Sequence, residues 1–144
     1  MELEYLKATQ EDAQQIFELC KSLIDTYEDL SSVQYPQVLD WVARKIRQNI
    51  AMYTVITRNG QKVGYFSLLN HIDGWELDDF YVLPAYRGNG IGTAVLQNIC
   101  MSAKGRIFLY VFTQNTGAVS LYERFGFQTS QTVSATRQIM ERPG

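Results

Sequence analysis

The sequence predicts an α/β domain built on a mixed, partly antiparallel sheet. Three observations carry that prediction. Strand-like and helix-like stretches interleave in the order β-α-α-β-β-β-α-β-α-β-β, which fits neither an all-β protein nor a helical bundle. Asn59-Gly60 stands between two strand-like runs, a strong two-residue hairpin signal that makes its flanking strands antiparallel. The run "RIFLYVF" from Arg106 is almost continuously apolar, as expected of a strand buried on both faces.

Each element has a local justification. "LEYLKA" is a short first strand. Thr9 suits an N-cap with Asp12 three residues on, opening a helix whose apolar positions are Ile16, Phe17, Leu19, Cys20, Leu23 and Ile24. After the polar break "DLSSVQYP", Pro36 fits a first helical turn, and Val38, Val42 and Ile46 form the stripe of a second helix. "AMYTVITR" and "KVGYFSLL" are the hairpin strands, and "WELDDFYVL" is the next. A glycine-rich turn leads into a third helix marked by Ile91, Val95 and Ile99. Asn115 caps a fourth helix that Gly126 ends, and two weaker strands occupy Phe127 to Met140. The total is six to seven strands and four helices.

The chain has 144 residues, enough for one domain with a core that needs neither disulfides nor metals. Hydrophobic content of 46% with a net charge of −2 describes a globular protein and argues against sequence-independent nucleic-acid binding, which needs clustered Lys and Arg. Cys20 and Cys100 lie in apolar helical patterns and read as buried free thiols. His71 is the lone histidine, and no metal-ligand spacing exists. The start "MELEYLKATQEDA" has no apolar signal region and no run is long enough for a bilayer span, so the expected location is the cytoplasm.

The chemistry-bearing feature is "VLPAYRGNGIGTAV" from Val82. Its glycines let the backbone approach a ligand closely, and a helix opening there aims unpaired N–H groups at that ligand, typically a phosphate. A dinucleotide fingerprint fails: Gly88 and Gly90 fit, but Thr93 stands at the third glycine and no acid follows at the ribose-binding distance. A P-loop fails as well, because no Lys-Ser/Thr pair follows the last glycine.

The run resembles the acetyl-CoA signature R/Q-x-x-G-x-G/A of the GCN5-related N-acetyltransferase (GNAT) superfamily, with Arg87, Gly90 and Gly92 at its fixed positions. The preceding strand, the following helix and a second motif, "NTGAVSLYERFGF", fit the same pattern. The resemblance covers roughly the whole chain and is tightest from Trp75 to Phe127. It implies the GNAT fold over residues 1–144 as a single domain, with helices on both faces of the sheet. It also implies acetyl-CoA as co-substrate, and no metal. The amides of Arg87, Gly88, Asn89, Gly90, Ile91 and Gly92 would then converge on the diphosphate of coenzyme A. Arg87 either adds charge or pins the loop. Asn89 replaces the Lys or Arg that relatives often carry, which leaves more of the binding to amides. Asn115 would bond the pantetheine arm. The main chain of Phe80, Tyr81 and Val82 would pair with its amides where two strands splay apart.

Acetyl transfer to an amine poses two proton problems. A Lys-like amine has a pKa of about 10.4, so neutrality at pH 7 costs roughly 4–5 kcal/mol. A positioned base eases that cost, and the departing thiolate needs an acid. Alternation puts Glu76, Asp78, Phe80 and Val82 on one face of their strand, with Asp79 on the other beside Leu77 and Tyr81. Glu76 falls where GCN5-type members carry their catalytic glutamate, and Asp78 is the reserve. The position used by other relatives is Tyr110 here. Tyr122, seven residues after Asn115 and on the same helix face, matches the tyrosine that protonates the thiolate; packing at the helix end is the alternative. On the acceptor side, Asp25, Glu28 and Asp29 could attract a cation and Tyr27, Tyr35 and Trp41 could stack on an apolar body, against the plainer reading of a solvated helix end. His71, just after a strand, could face the cleft, against the plainer reading of a loop residue without an assigned task.

The expectation is therefore transfer of acetyl from acetyl-CoA to a primary amine of a small molecule, by direct attack in a ternary complex. A peptide or protein amine, or a non-catalytic acyl-CoA sensor, are the alternatives. No nucleic-acid or membrane partner is expected, and a homodimer is left open.

Overall fold

A computed structural model describes all 144 residues. Seven strands and four α-helices follow one another as β1 (Glu4–Lys7), α1 (Ala13–Tyr27), α2 (Tyr35–Gln48), β2 (Tyr53–Arg58), β3 (Gln61–His71), β4 (Gly74–Val82), α3 (Ile91–Ser102), β5 (Ile107–Phe112), α4 (Thr116–Arg124), β6 (Gln128–Thr132) and β7 (Arg137–Arg142). The sheet order is β1-β2-β3-β4-β5-β7-β6. Pairings β1–β2, β2–β3, β5–β7 and β6–β7 are antiparallel, and β4–β5 is parallel. The predicted mixed sheet and element order are both observed. The chain forms two compact units, Met1–Ser67 with Asp79–Leu83, and Leu68–Asp78 with Pro84–Gly144.

In the first unit, Thr9 opens the helical region as expected. Its N–H donates to Asp12 Oδ2 at 2.9 Å, and a short 3-10 turn, Gln10–Asp12, precedes α1. Ile16 and Ile24 of α1 and Val42 and Ile46 of α2 are buried, the faces that the i, i+3/i+4 spacing anticipates. Fully burying a side chain such as Ile16 or Ile46 contributes about 1.5–3 kcal/mol. Asn59 and Gly60 take φ of 53° and 78°, the left-handed pair of a two-residue hairpin turn. Strand β2 starts at Tyr53 rather than Ala51, because Ile50–Met52 form a 3-10 turn. Gly64 is required by close approach: a Cβ there would collide with the Tyr81 carbonyl oxygen.

Two buried carboxylates organise this unit. Asp12 accepts from Lys62 Nζ at 2.7 Å and from the Tyr65 hydroxyl at 3.3 Å. Asp79 has a left-handed φ of 48° in the middle of β4. Its carboxylate accepts from the Tyr53 hydroxyl at 2.5 Å and the Tyr81 hydroxyl at 2.9 Å, with Lys45 Nζ at 3.6 Å.

In the second unit, α3 buries Ile91, Val95, Leu96 and Ile99. Helix α4 is capped by Asn115, whose Oδ1 accepts from the Ala118 N–H at 3.4 Å. It ends at Gly126 (φ 88°), where Gly126 N–H donates to Glu123 O at 3.1 Å and Phe127 N–H to Tyr122 O at 3.1 Å. Strand β5 departs from expectation. Ile107, Leu109 and Val111 are buried, yet Phe108 and Phe112 are half-buried and Tyr110 is 43% exposed. Arginines cover that second face in place of an apolar layer: Arg106 lies 4.6 Å from the Phe108 ring centroid, and Arg137 lies 5.1 Å from that of Tyr110. Cys20 and Cys100 form no disulfide, as expected, but are half-buried rather than buried.

Burial pushes the Asp12 carboxyl upward, and the Lys62 hydrogen bond, the Thr9 N–H, the Lys62 charge and the Tyr65 hydroxyl together bring it below the ordinary value of 3.8. A lowered folded-state pKa gives stability that is present above the unfolded pKa and lost as pH falls through the folded one. Asp12→Asn should therefore cost about 1–3 kcal/mol at pH 7, discounted toward the lower end because Lys62 is half-exposed. That deficit should shrink below about pH 4, as denaturant titrations at pH 7 and pH 3 will show.

Candidate active site

After β4 ends at Val82, a 3-10 turn (Pro84–Tyr86) leads to the glycine turn and then to α3. Gly88 and Gly90 have φ of 80° and 79°, and Gly90 is the N-cap of α3. A residue with a Cβ pays about 1–2 kcal/mol for that conformation, which explains the glycines. Residues 87–90 are exposed, while Ile91 anchors the first helical turn at 1% exposure. The first helical bond runs from Ala94 N–H to Gly90 O at 3.1 Å. The N–H groups of Ile91, Gly92 and Thr93 therefore precede the ladder, as donors at the positive end of the helix dipole. The Asn89 side chain donates back to Tyr86 O at 3.3 Å, so it braces its own loop. An anion fits this junction: it has donors, exposure and no side chain in the way at Gly88, where a Cβ would meet nothing within 4 Å.

Glu76 lies on β4 with its side chain 16% exposed, and pairs with His71 Nε2 at 3.0 Å. His71 is the last residue of β3, and its ring packs 5.3 Å from Phe108. This pair was not anticipated, since His71 reads as an idle loop residue. The available signal was its position five residues before Glu76 across a tight turn. The parallel β4–β5 ladder pairs Trp75 with Ile107 and Glu76 with Phe108.

Tyr122 is buried at 8% exposure with its ring 5.6 Å from Phe127. Burial, and secondarily the negative charge of Asp78, push its hydroxyl well above the ordinary tyrosine value. It therefore stays protonated at neutral pH. Asn115 and Tyr122 sit at the two ends of α4, and the Asn115 Oδ1 is engaged in the cap. Phe80, Tyr81 and Val82 belong to the first unit. There the Tyr81 hydroxyl is tied to Asp79, and the Leu83 N–H donates to Val63 O at 2.8 Å.

The acids suggested for the acceptor side are already engaged. Asp25 pairs with Lys21 at 2.8 Å and accepts from the Tyr35 hydroxyl at 2.5 Å. Asp29 accepts from the Ser31 hydroxyl at 2.6 Å, and Glu28 from the Asp29 N–H at 3.1 Å. Trp41 is 56% exposed, with Lys45 Nζ 5.8 Å from its ring centroid. No group of three or more His, Cys, Asp or Glu side chains is placed to hold a metal. No helix is long and apolar enough to cross a membrane.

Comparison with known proteins bears on the family and the fold. An uncharacterized N-acetyltransferase of Methanocaldococcus jannaschii is 30% identical over 95 residues, 58% of this chain and 42% of that protein, so the match spans less than half of the relative. The peptidyl-lysine N-acetyltransferase YjaB of Salmonella typhimurium is 23% identical over 86% of this chain and 82% of its own. Among solved structures, the PaiA N-acetyltransferase of Thermoplasma acidophilum in complex with coenzyme A superposes with a TM-score of 0.76 at 20% identity, covering 100% of both chains. An acetyltransferase from Thermus thermophilus gives 0.74 at 18% identity, covering 100% of this chain and 98% of the other. At those identities the likeness is one of fold. Residues 12–127 match the acetyltransferase (GNAT) family, and the chain belongs to that family.

Proposed function

We propose that the protein is an acetyl-CoA-dependent N-acetyltransferase acting on a primary amine, with residues 1–144 working as one catalytic domain. The observation that carries the reading is the exposed turn with two left-handed glycines at the start of α3. In it, the amides from Arg87 to Gly92 hold the coenzyme A diphosphate, and the main chain of Phe80, Tyr81 and Val82 pairs with the pantetheine amides. Asn115 contacts the same arm. A protein of the same fold crystallised with coenzyme A supports this choice of ligand.

Starting from an ammonium, the nitrogen loses two protons, one to a base before attack and one to solvent as the amide forms, and the sulfur gains one. Glu76, oriented by His71, takes the proton from the attacking amine. The amine nitrogen bonds to the thioester carbonyl carbon and the carbon–sulfur bond breaks. Tyr122 delivers its hydroxyl proton to the leaving thiolate and regains one from solvent. Burial, and secondarily the charge of Asp78, keeps Tyr122 in its protonated form, and Asp78 is the alternative base.

Three measurements test the reading. Gly90→Val forces a β-branched residue into left-handed space and should weaken coenzyme A binding at least tenfold by calorimetry; unchanged affinity refutes the phosphate turn. Tyr122→Phe should lower kcat by roughly 10²-fold while KM for acetyl-CoA stays near wild type. Glu76→Gln should cut the rate most near pH 7 and least at alkaline pH, where more of the amine is already neutral; a loss independent of pH would argue for a different base.

A further inference from the structure

We infer that the acceptor is an amine that also bears a carboxylate, as an amino acid does, and that Arg137 binds that carboxylate. The inference rests on the acetyl-transfer reading above and concerns only the second unit.

The strand register places the relevant side chains on one sheet face. Glu76 is opposite Phe108 across the β4–β5 ladder, while Phe108, Tyr110 and Phe112 are opposite Glu141, Ile139 and Arg137 across the β5–β7 ladder. Directly opposed residues share a face. The face that holds the proposed base thus continues as an aromatic shelf over β5, and this is the half-open side of β5, where Tyr110 is 43% exposed.

Two arginines lie on that shelf, and their circumstances differ. Arg106, over Phe108, is neutralised: its Nε donates to Glu141 at 2.7 Å and its terminal nitrogen reaches Asp73 at 3.5 Å. The Cζ of Arg137 lies 5.1 Å from the Tyr110 centroid and 5.9 Å from that of Phe112, and its side chain forms no ion pair. Contact with two rings leaves the guanidinium its N–H donors, which can receive a carboxylate with two parallel hydrogen bonds. It also orders the side chain in advance, lowering the entropy lost on binding. The protein carries a net charge of −2, so a half-buried guanidinium without an ion pair on the sheet face of the candidate base is a local reversal of sign.

The spacing fits a short molecule. Tyr110 is two residues along β5 from Phe108, and Glu76 is one strand across. At about 3.3 Å per residue and 4.8 Å per strand, the backbone of Glu76 and that of Tyr110, whose ring the Arg137 head covers, lie on the order of 8 Å apart. That span suits a small molecule carrying both an amine and a carboxylate. A purely cationic polyamine would meet Arg137 as a like charge.

The experiment uses matched acceptors: an amino acid, its carboxamide and its decarboxylated amine, each assayed for thiol release with wild type, Arg137→Gln and Arg137→Lys. Wild type should prefer the carboxylate-bearing member by about 10- to 100-fold in kcat/KM. Arg137→Gln should erase that preference through acceptor KM with KM for acetyl-CoA unmoved, and Arg137→Lys should fall between. Equal use of the three acceptors by wild type overturns the inference while leaving acetyl transfer intact. An equal loss on all three in Arg137→Gln, with altered acetyl-CoA KM, overturns it too. Absence of turnover with every amine overturns the acetyl-transfer reading itself, and this inference with it.

Discussion

A single carboxylate, that of Asp79, holds β4 in a conformation its backbone disfavours. A left-handed residue with a side chain costs about 1–2 kcal/mol, somewhat less for Asp. Against that cost stand two phenol donors and a lysine: Tyr53, Tyr81 and, slightly further away, Lys45. Hydrogen bonds to a charged group contribute about 1.5–3 kcal/mol each, so the side chain wins over the main chain. Burial, and then the Asp79 charge, drive the Tyr81 hydroxyl far above its ordinary value, so the donor stays protonated wherever the carboxylate is ionised. The arrangement reinforces itself. It stands where β4 passes from one compact unit to the other, and β4 also carries the acids of the candidate site.

The two units settle their buried polar groups differently. In the first, carboxylates are enclosed and surrounded by donors: Asp12 is 3% exposed and Asp79 nearly as covered, and each has a lysine within ion-pair distance. Such groups are expensive to bury alone and tolerable only when every lone pair is met. In the second, the charged groups lie at the edge of an aromatic surface. There Arg106 and Arg137 spread over rings, and His71 rests on Phe108. Cation–ring contact asks for less desolvation than ion pairing, which is why this face of β5 stays accessible while the opposite face is closed.

What the sequence made legible was whatever depends on local conformation. Asn59-Gly60 had to turn, Asn115 had to cap and Gly126 had to stop a helix, because few residues tolerate those backbone angles or supply those acceptors. The glycine turn was legible for the same reason. Alternation grouped Leu77, Asp79 and Tyr81 on one face of β4 without saying which face is covered; in the structure it is theirs. Hydropathy failed on "RIFLYVF", since it counts an aromatic ring as apolar whether a core or an arginine covers it. Alternation also carries no information about φ, so the left-handed Asp79 was invisible; adjacent aspartates in a strand were its only trace. The pair Arg137–Tyr110 arises between distant strands and no local pattern encodes it, whereas His71 and Glu76 are five residues apart across a turn, a spacing that hydropathy does not weigh.

The segment "WELDD" concentrates three acids in one strand, which electrostatic repulsion alone would discourage. The structure resolves this by giving each a different counterpart. Glu76 faces His71, the charge of Asp78 acts on Tyr122, and Asp79 is enclosed by two tyrosines and a lysine. In the proposed reaction, a base and an acid must coexist at one pH in opposite protonation states, which requires surroundings that differ. Tyr122 is buried and lies near a negative charge, so it retains its proton; Glu76 keeps partial exposure and an imidazole partner. The same strand thus separates the two halves of the proton transfer. Asp78 contributes by its charge on the acid, and Asp79 by fixing the backbone one residue beyond it.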